Sequence, residues 1–126
     1  MRAVDTNVLV RLIVRDDERQ ARAAEKFVSA GAWVPQIALV ECVWVLVSVY
    51  GLDPETIAEG VERLLDHRDL VIQHADAAAS ALERYRSHPS VGFSDCLVLE
   101  TARNAGHGPL GTFDRDLARL DGTQKL

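Results

Sequence analysis

The chain has 126 residues, the size of one ordinary domain, and 48% of them are hydrophobic, enough to build a core. Asp and Glu number 19 against 14 Lys and Arg, so the formal net charge is −5. That balance does not by itself suggest a nucleic-acid binder, because such surfaces are usually basic. The two cysteines, Cys42 and Cys96, sit in apolar stretches without CxxC or Cys/His spacing, which reads as two reduced, buried thiols rather than a disulfide framework or a zinc site.

Arg2-Ala3-Val4 reads as a short buried strand. Asp5 interrupts the N-terminus before an apolar signal-peptide core can form. Asp5-Thr6 offers an N-cap, either residue serving, and residues 7–14 can run as a helix. Asp16-Asp17-Glu18 place acid at the start of a second helix, with Ala21, Ala24, Phe27 and Val28 on one face. Gly31 stops it, and Ala32-Trp33-Val34 is a second strand closed by Pro35. Residues 37–50 are apolar on nearly every side, too short for a membrane span, and end at Gly51, so a buried helix is predicted.

Asp53-Pro54 pairs an N-cap with proline at the first helical position. Leu70-Val71-Ile72 is a third strand, and Asp76 is placed to cap the next helix. After a loop over residues 88–93, an apolar-faced helix runs over residues 94–105 and ends at Gly106. Residues 109–112 are a short strand, residues 114–120 one more helix, and residues 123–126 an edge strand. Strands and helices alternate throughout, without repeat, low-complexity segment or linker. The pattern predicts a single α/β domain over residues 1–126 around a mainly parallel sheet, soluble and cytoplasmic.

Most acids lie on polar helix faces, but four stand apart. Glu41 is the only charged residue between Ile37 and Tyr50, and a carboxylate buried there without a partner would be costly, so it points to function unless the side chain exits to solvent at the helix start. Asp5 sits where a strand gives way to a helix, the place where open parallel sheets bind ligands. Asp95 begins an apolar helix, and Asp114 follows a strand. Capping or dipole roles account for these three taken singly, with Ser94 as the cap beside Asp95. Glu100, more than one turn beyond Asp95, reads as structural.

Several carboxylates in one cleft stay ionised together only if a cation neutralises them. An all-oxygen set suits Mg²⁺ or Mn²⁺ rather than Zn²⁺. The four histidines are scattered without ligand spacing and read as surface residues.

These motifs resemble those of PIN-domain nucleases, specifically the VapC type of toxin–antitoxin ribonuclease. Val4-Asp5-Thr6-Asn7-Val8-Leu9 resembles the family's opening strand and first acid. Glu41 in Leu39-Val40-Glu41-Cys42, Asp95 in Phe93-Ser94-Asp95-Cys96 and Asp114 in Thr112-Phe113-Asp114 match the other three. The resemblance implies a three-layer α/β/α sandwich and Mg²⁺- or Mn²⁺-dependent cleavage of RNA. It further implies a cognate antitoxin and commonly a homodimer, with no membrane association. Asp5 and Asp95 would be the firmest metal ligands. Asp114 would ligate directly or through water, and Glu41 would ligate or position the attacking water. Thr6, Asn7 and Thr112 would orient the carboxylates. Several arginines, Arg11, Arg15, Arg84 and Arg103 among them, could contact the RNA backbone.

Two other readings compete with this one. A haloacid-dehalogenase-like phosphatase needs a second acid two residues after the first, where this chain has Asn7. A non-catalytic PIN-fold module binding RNA or protein would use the helix around Trp44 and Val47 as an interface instead of as core.

Overall fold

The computed structural model describes residues 1–126. The element order is β1 (Arg2–Ala3), α1 (Thr6–Ile13), α2 (Glu18–Val28), β2 (Ala32–Val34), α3 (Gln36–Ser48), α4 (Pro54–Leu65), β3 (Leu70–Ile72), α5 (Ala75–Ser87), α6 (Phe93–Asn104), β4 (Leu110–Thr112), a 3₁₀ turn (Leu117–Arg119) and β5 (Thr123–Lys125). The predicted alternation of strand and helix is therefore observed. The chain divides into two compact units, Met1–Ala75 and Asp76–Leu126.

In the first unit, β1, β2 and β3 form a parallel sheet in that order, with Ala32 opposite both Arg2 and Leu70. Val4 extends the first ladder by donating its N–H to the Trp33 carbonyl at 3.1 Å. The first strand is less buried than predicted: Arg2 and Ala3 are exposed and only Val4 enters the core. Arg2 instead lays its guanidinium over the Phe27 ring, 3.9 Å from the centroid, a favourable cation–π arrangement.

Helix α1 packs against α2 and α3, and α4 packs against α3 and β3. Two aspartates start helices by capping, Asp53 as expected and Asp17 in addition. Asp17 accepts from the Gln20 N–H and Asp53 from the Thr56 N–H, while Pro54 occupies the first turn where no N–H is needed. Gly31, at φ +87°, lets the chain turn from α2 into β2. Arg11 of α1 ties together the segment before α2 and the segment after α3: it donates to Asp16 at 2.7 Å and to the Tyr50 hydroxyl at 3.0 Å, and Tyr50 donates to Asp16 at 3.1 Å. Arg15 is paired with Glu25. These two of the arginines suggested for RNA contact thus have partners within the fold.

Helix α3 departs most from expectation. Ala38, Leu39, Cys42, Val43 and Leu46 are buried on one face. The opposite face carries Ile37, Trp44 and Val47 at 69%, 64% and 48% exposure, with Glu41 exposed among them. The helix is one-sided in its packing although it is apolar all round in its sequence.

In the second unit, β4 and β5 form their own parallel pair, with Leu110 opposite Thr123 and Thr112 opposite Lys125. The strands thus form two ladders, one of three strands and one of two, where a single sheet was anticipated. Tyr85 of α5 meets Phe93 of α6 edge to face, with centroids 6.1 Å apart. Two predicted caps are not made. α5 begins at Ala75, so Asp76 lies within its first turn, and α6 is capped by Gly92 rather than Ser94. The helix expected over residues 114–120 is reduced to the 3₁₀ turn. Cys42 and Cys96 are free and buried, as read from the sequence.

Candidate active site

The sequence singled out two acids in each unit. In the first, Asp5 is the residue before α1, with extended backbone, and its side chain makes no capping bond. The capping explanation for this acid therefore fails, and Thr6 does not supply the cap either: its hydroxyl donates to Glu41 Oε2 at 3.1 Å. Glu41 is exposed, not buried as its apolar surroundings had suggested. It projects from the solvent face of α3, so no desolvation penalty has to be offset. Thr6 thereby links α1 to the carboxylate on α3. Asn7 is exposed in the first turn of α1.

In the second unit, Asp95 lies half-buried in the first turn of α6. Partial burial and the neighbouring negative charge of Asp114 both push its pKa above the ordinary carboxylate value. A helix N-terminus favours the ionised form, so the net rise means that desolvation and repulsion prevail. Asp114 is held tightly at one end. Its Oδ1 accepts from the N–H groups of Asp116 and Leu117 at 2.8 and 3.0 Å, and its own N–H donates to Thr112 Oγ1 at 3.0 Å. Here the capping explanation is correct for one carboxylate oxygen, and Thr112 fixes the backbone that carries it.

The chemistry of this pair suits a hard divalent cation. A carboxylate whose ionisation is disfavoured by burial and by a neighbouring carboxylate gains from a nearby positive charge, and carboxylate oxygens match Mg²⁺ or Mn²⁺. No group of three or more His, Cys, Asp or Glu side chains gathers to hold a metal. A two-carboxylate donor set would suit a cation that keeps most of its waters. The histidines do not join it. His74, His88 and His107 are exposed, and the half-buried His67 accepts the Asp69 N–H on Nδ1.

Sequence reasoning undervalued one acid. Glu100 is the buried charged residue of the chain, held by Arg84 of α5 at 3.0 Å and facing Arg103 at 3.8 Å. The signal was available: Phe93, Cys96, Leu97 and Glu100 follow core spacing on α6, so an acid falls where an apolar residue belongs.

Parallel strands feeding helices define an α/β protein, and acids stand at its strand ends and helix starts. The PIN domain profile matches residues 2–123, and the chain belongs to the PIN-domain family. The match spans both compact units and brings with it the family's three-layer α/β/α fold. PIN domains are generally nucleases and typically use divalent metal ions. Searches of curated proteins and of solved structures gave no match. No helix is long and apolar enough to cross a membrane.

Proposed function

We propose that the chain is a Mg²⁺- or Mn²⁺-dependent endoribonuclease, the toxin of a toxin–antitoxin pair. The observation that carries the reading is the Asp95–Asp114 pair, in which partial burial and the neighbouring charge of Asp114 disfavour ionisation of Asp95 unless a cation offsets them. Asp95 and Asp114 are the ligands proposed within the second unit. Asp5, whose carboxylate is not used for capping, and Glu41, oriented by Thr6, are proposed to serve the same reaction. Asn7 and Thr112 are proposed to orient the acids next to them. The bound cation would stabilise charge on the phosphoryl oxygens and lower the pKa of water. One of the carboxylates would accept a proton from the attacking water, and Glu41 Oε2 is held by the Thr6 hydroxyl. Asp114 stays in place because two backbone N–H groups grip Oδ1. The scissile phosphodiester breaks at the 3′-oxygen, leaving 5′-phosphate and 3′-hydroxyl ends.

A cytoplasmic homodimer inhibited by a cognate antitoxin completes the proposal. The exposed Ile37, Trp44 and Val47 support a protein contact on α3, since apolar patches rimmed by polar residues mark such sites. The family match sets the phosphatase reading aside.

The test is cleavage of RNA by purified protein with Mg²⁺, with excess chelator, and by Asp95→Asn. Cleavage lost in the last two, with 5′-phosphate ends in the first, is expected. Equal cleavage in chelator would refute the metal-dependent reading. RNA binding without metal-dependent cleavage by wild type would favour the non-catalytic module.

A further inference from the structure

A continuous chain of contacts in the second unit joins the helix bearing Asp95 to the strand leading to Asp114. Glu100 follows Asp95 on α6 by little more than one turn and is 6% exposed. Its Oε1 accepts from Arg84 Nε at 3.0 Å, which anchors it to α5. Its Oε2 lies 3.8 Å from Arg103 Nε. Arg103 in turn donates through NH1 to the Asp121 carbonyl at 3.0 Å. A Cβ on the next residue, Gly122, would come to 3.0 Å from that same NH1, so the guanidinium lies directly against the turn. The Gly122 carbonyl accepts the Leu110 N–H at 2.9 Å, the first rung between β5 and β4. β4 ends at Thr112, whose hydroxyl accepts the Asp114 N–H.

The β4–β5 ladder has two strands, and such a ladder is marginal by itself. Its placement against α6 therefore depends on whatever pins it there. The Arg103 contact is a polar, directional pin, and buried Glu100 holds the arginine to its task from behind.

We propose that Glu100 and Arg103 are positioning residues that hold Asp114 at its separation from Asp95 and so set the affinity of that pair for a divalent cation. Neither touches the reacting atoms. The cation part of the proposal rests on the reading of Asp95 and Asp114 as metal ligands, and the positional part does not.

The experiment compares the intact wild-type chain with Arg103→Met, Arg103→Lys and the control Arg15→Met, which breaks the exposed pair with Glu25. Two quantities are read: Mn²⁺ affinity by paramagnetic titration, and amide hydrogen exchange at Leu110 and Leu117, whose N–H groups bond Gly122 and Asp114. Arg103→Met is expected to weaken Mn²⁺ binding about tenfold, the usual cost of losing a group that supports metal ligands, and to speed exchange at both amides. Arg103→Lys, which keeps the charge beside Glu100, should fall between. Arg15→Met should leave Mn²⁺ affinity and both amides unchanged, even if its thermal midpoint drops as far. Wild-type exchange in Arg103→Met overturns the proposal. If exchange rises while Mn²⁺ affinity holds, the link to cation binding is overturned. A wild-type chain that binds no Mn²⁺ refutes the metal reading, and exchange at Leu110 and Leu117 still decides the positional claim.

Discussion

Two helices carry an acid inside an apolar stretch, and they treat it in opposite ways. On α3, Glu41 faces solvent beside Ile37 and Trp44 and is met by a neutral hydroxyl. On α6, Glu100 is buried and met by two arginines. Local apolarity does not decide which acid is buried. Nearby countercharge does, because an unpaired carboxylate cannot leave water cheaply while a paired one can.

The largest effect should come from breaking the buried member of this comparison. Glu100→Ala leaves Arg84 part-buried without its partner and is expected to destabilise by about 3–5 kcal/mol. Glu41→Ala is expected to change stability by about 0.5 kcal/mol or less, as at other exposed sites. Urea unfolding of both variants checks this, and comparable losses would dissolve the contrast. A second pair sharpens it within α3. Leu46→Ala should cost about 3 kcal/mol through a cavity, whereas Trp44→Ala should cost about 1 kcal/mol or less in dilute monomer.

A smaller effect concerns pH. The folded pKa of Asp95 is raised, so its unfolded form loses the proton first as pH climbs. Stability contributed by the protonated folded form is complete below the ordinary carboxylate pKa and is lost as pH rises through the folded value. In metal-free buffer, Asp95→Asn should therefore melt slightly above wild type at pH 7 and equal to it near pH 3. A melting point below wild type at pH 7 would contradict the repulsion inferred at this pair. The least change is expected at the thiols. Burial pushes Cys42 up to about 12 and Cys96 up to about 11. Both should resist iodoacetamide at pH 8 until the chain is unfolded, which mass spectrometry can follow.

Much of the fold was legible because its signals are local. Asp53-Pro54 and Asp17 announced helix starts, Gly31 and Gly106 announced ends, and the short strands at 32–34, 70–72 and 110–112 were found in place. What was not legible depended on partners distant in sequence. Nothing near Glu41 tells that α3 would bury only its Leu39–Cys42–Leu46 side. Nothing near Glu100 names Arg84, sixteen residues away on another helix. The capping ambiguity of the site acids could be resolved only in space, and it resolved differently for each: no cap bond at Asp5, two at Asp114.

The vacant cap at Asp5 has an evolutionary corollary. α1 begins without a side-chain acceptor for its first N–H groups, although the residue preceding it carries a suitable oxygen. Serine at that position would be an equally good or better cap and would remove a charge. Selection for robustness alone would thus tolerate losing the acid, so a lineage that kept it would do so for its chemistry. Descendants that abandoned the reaction should reveal themselves first at this helix start, by gaining thermal stability where they gave up a carboxylate.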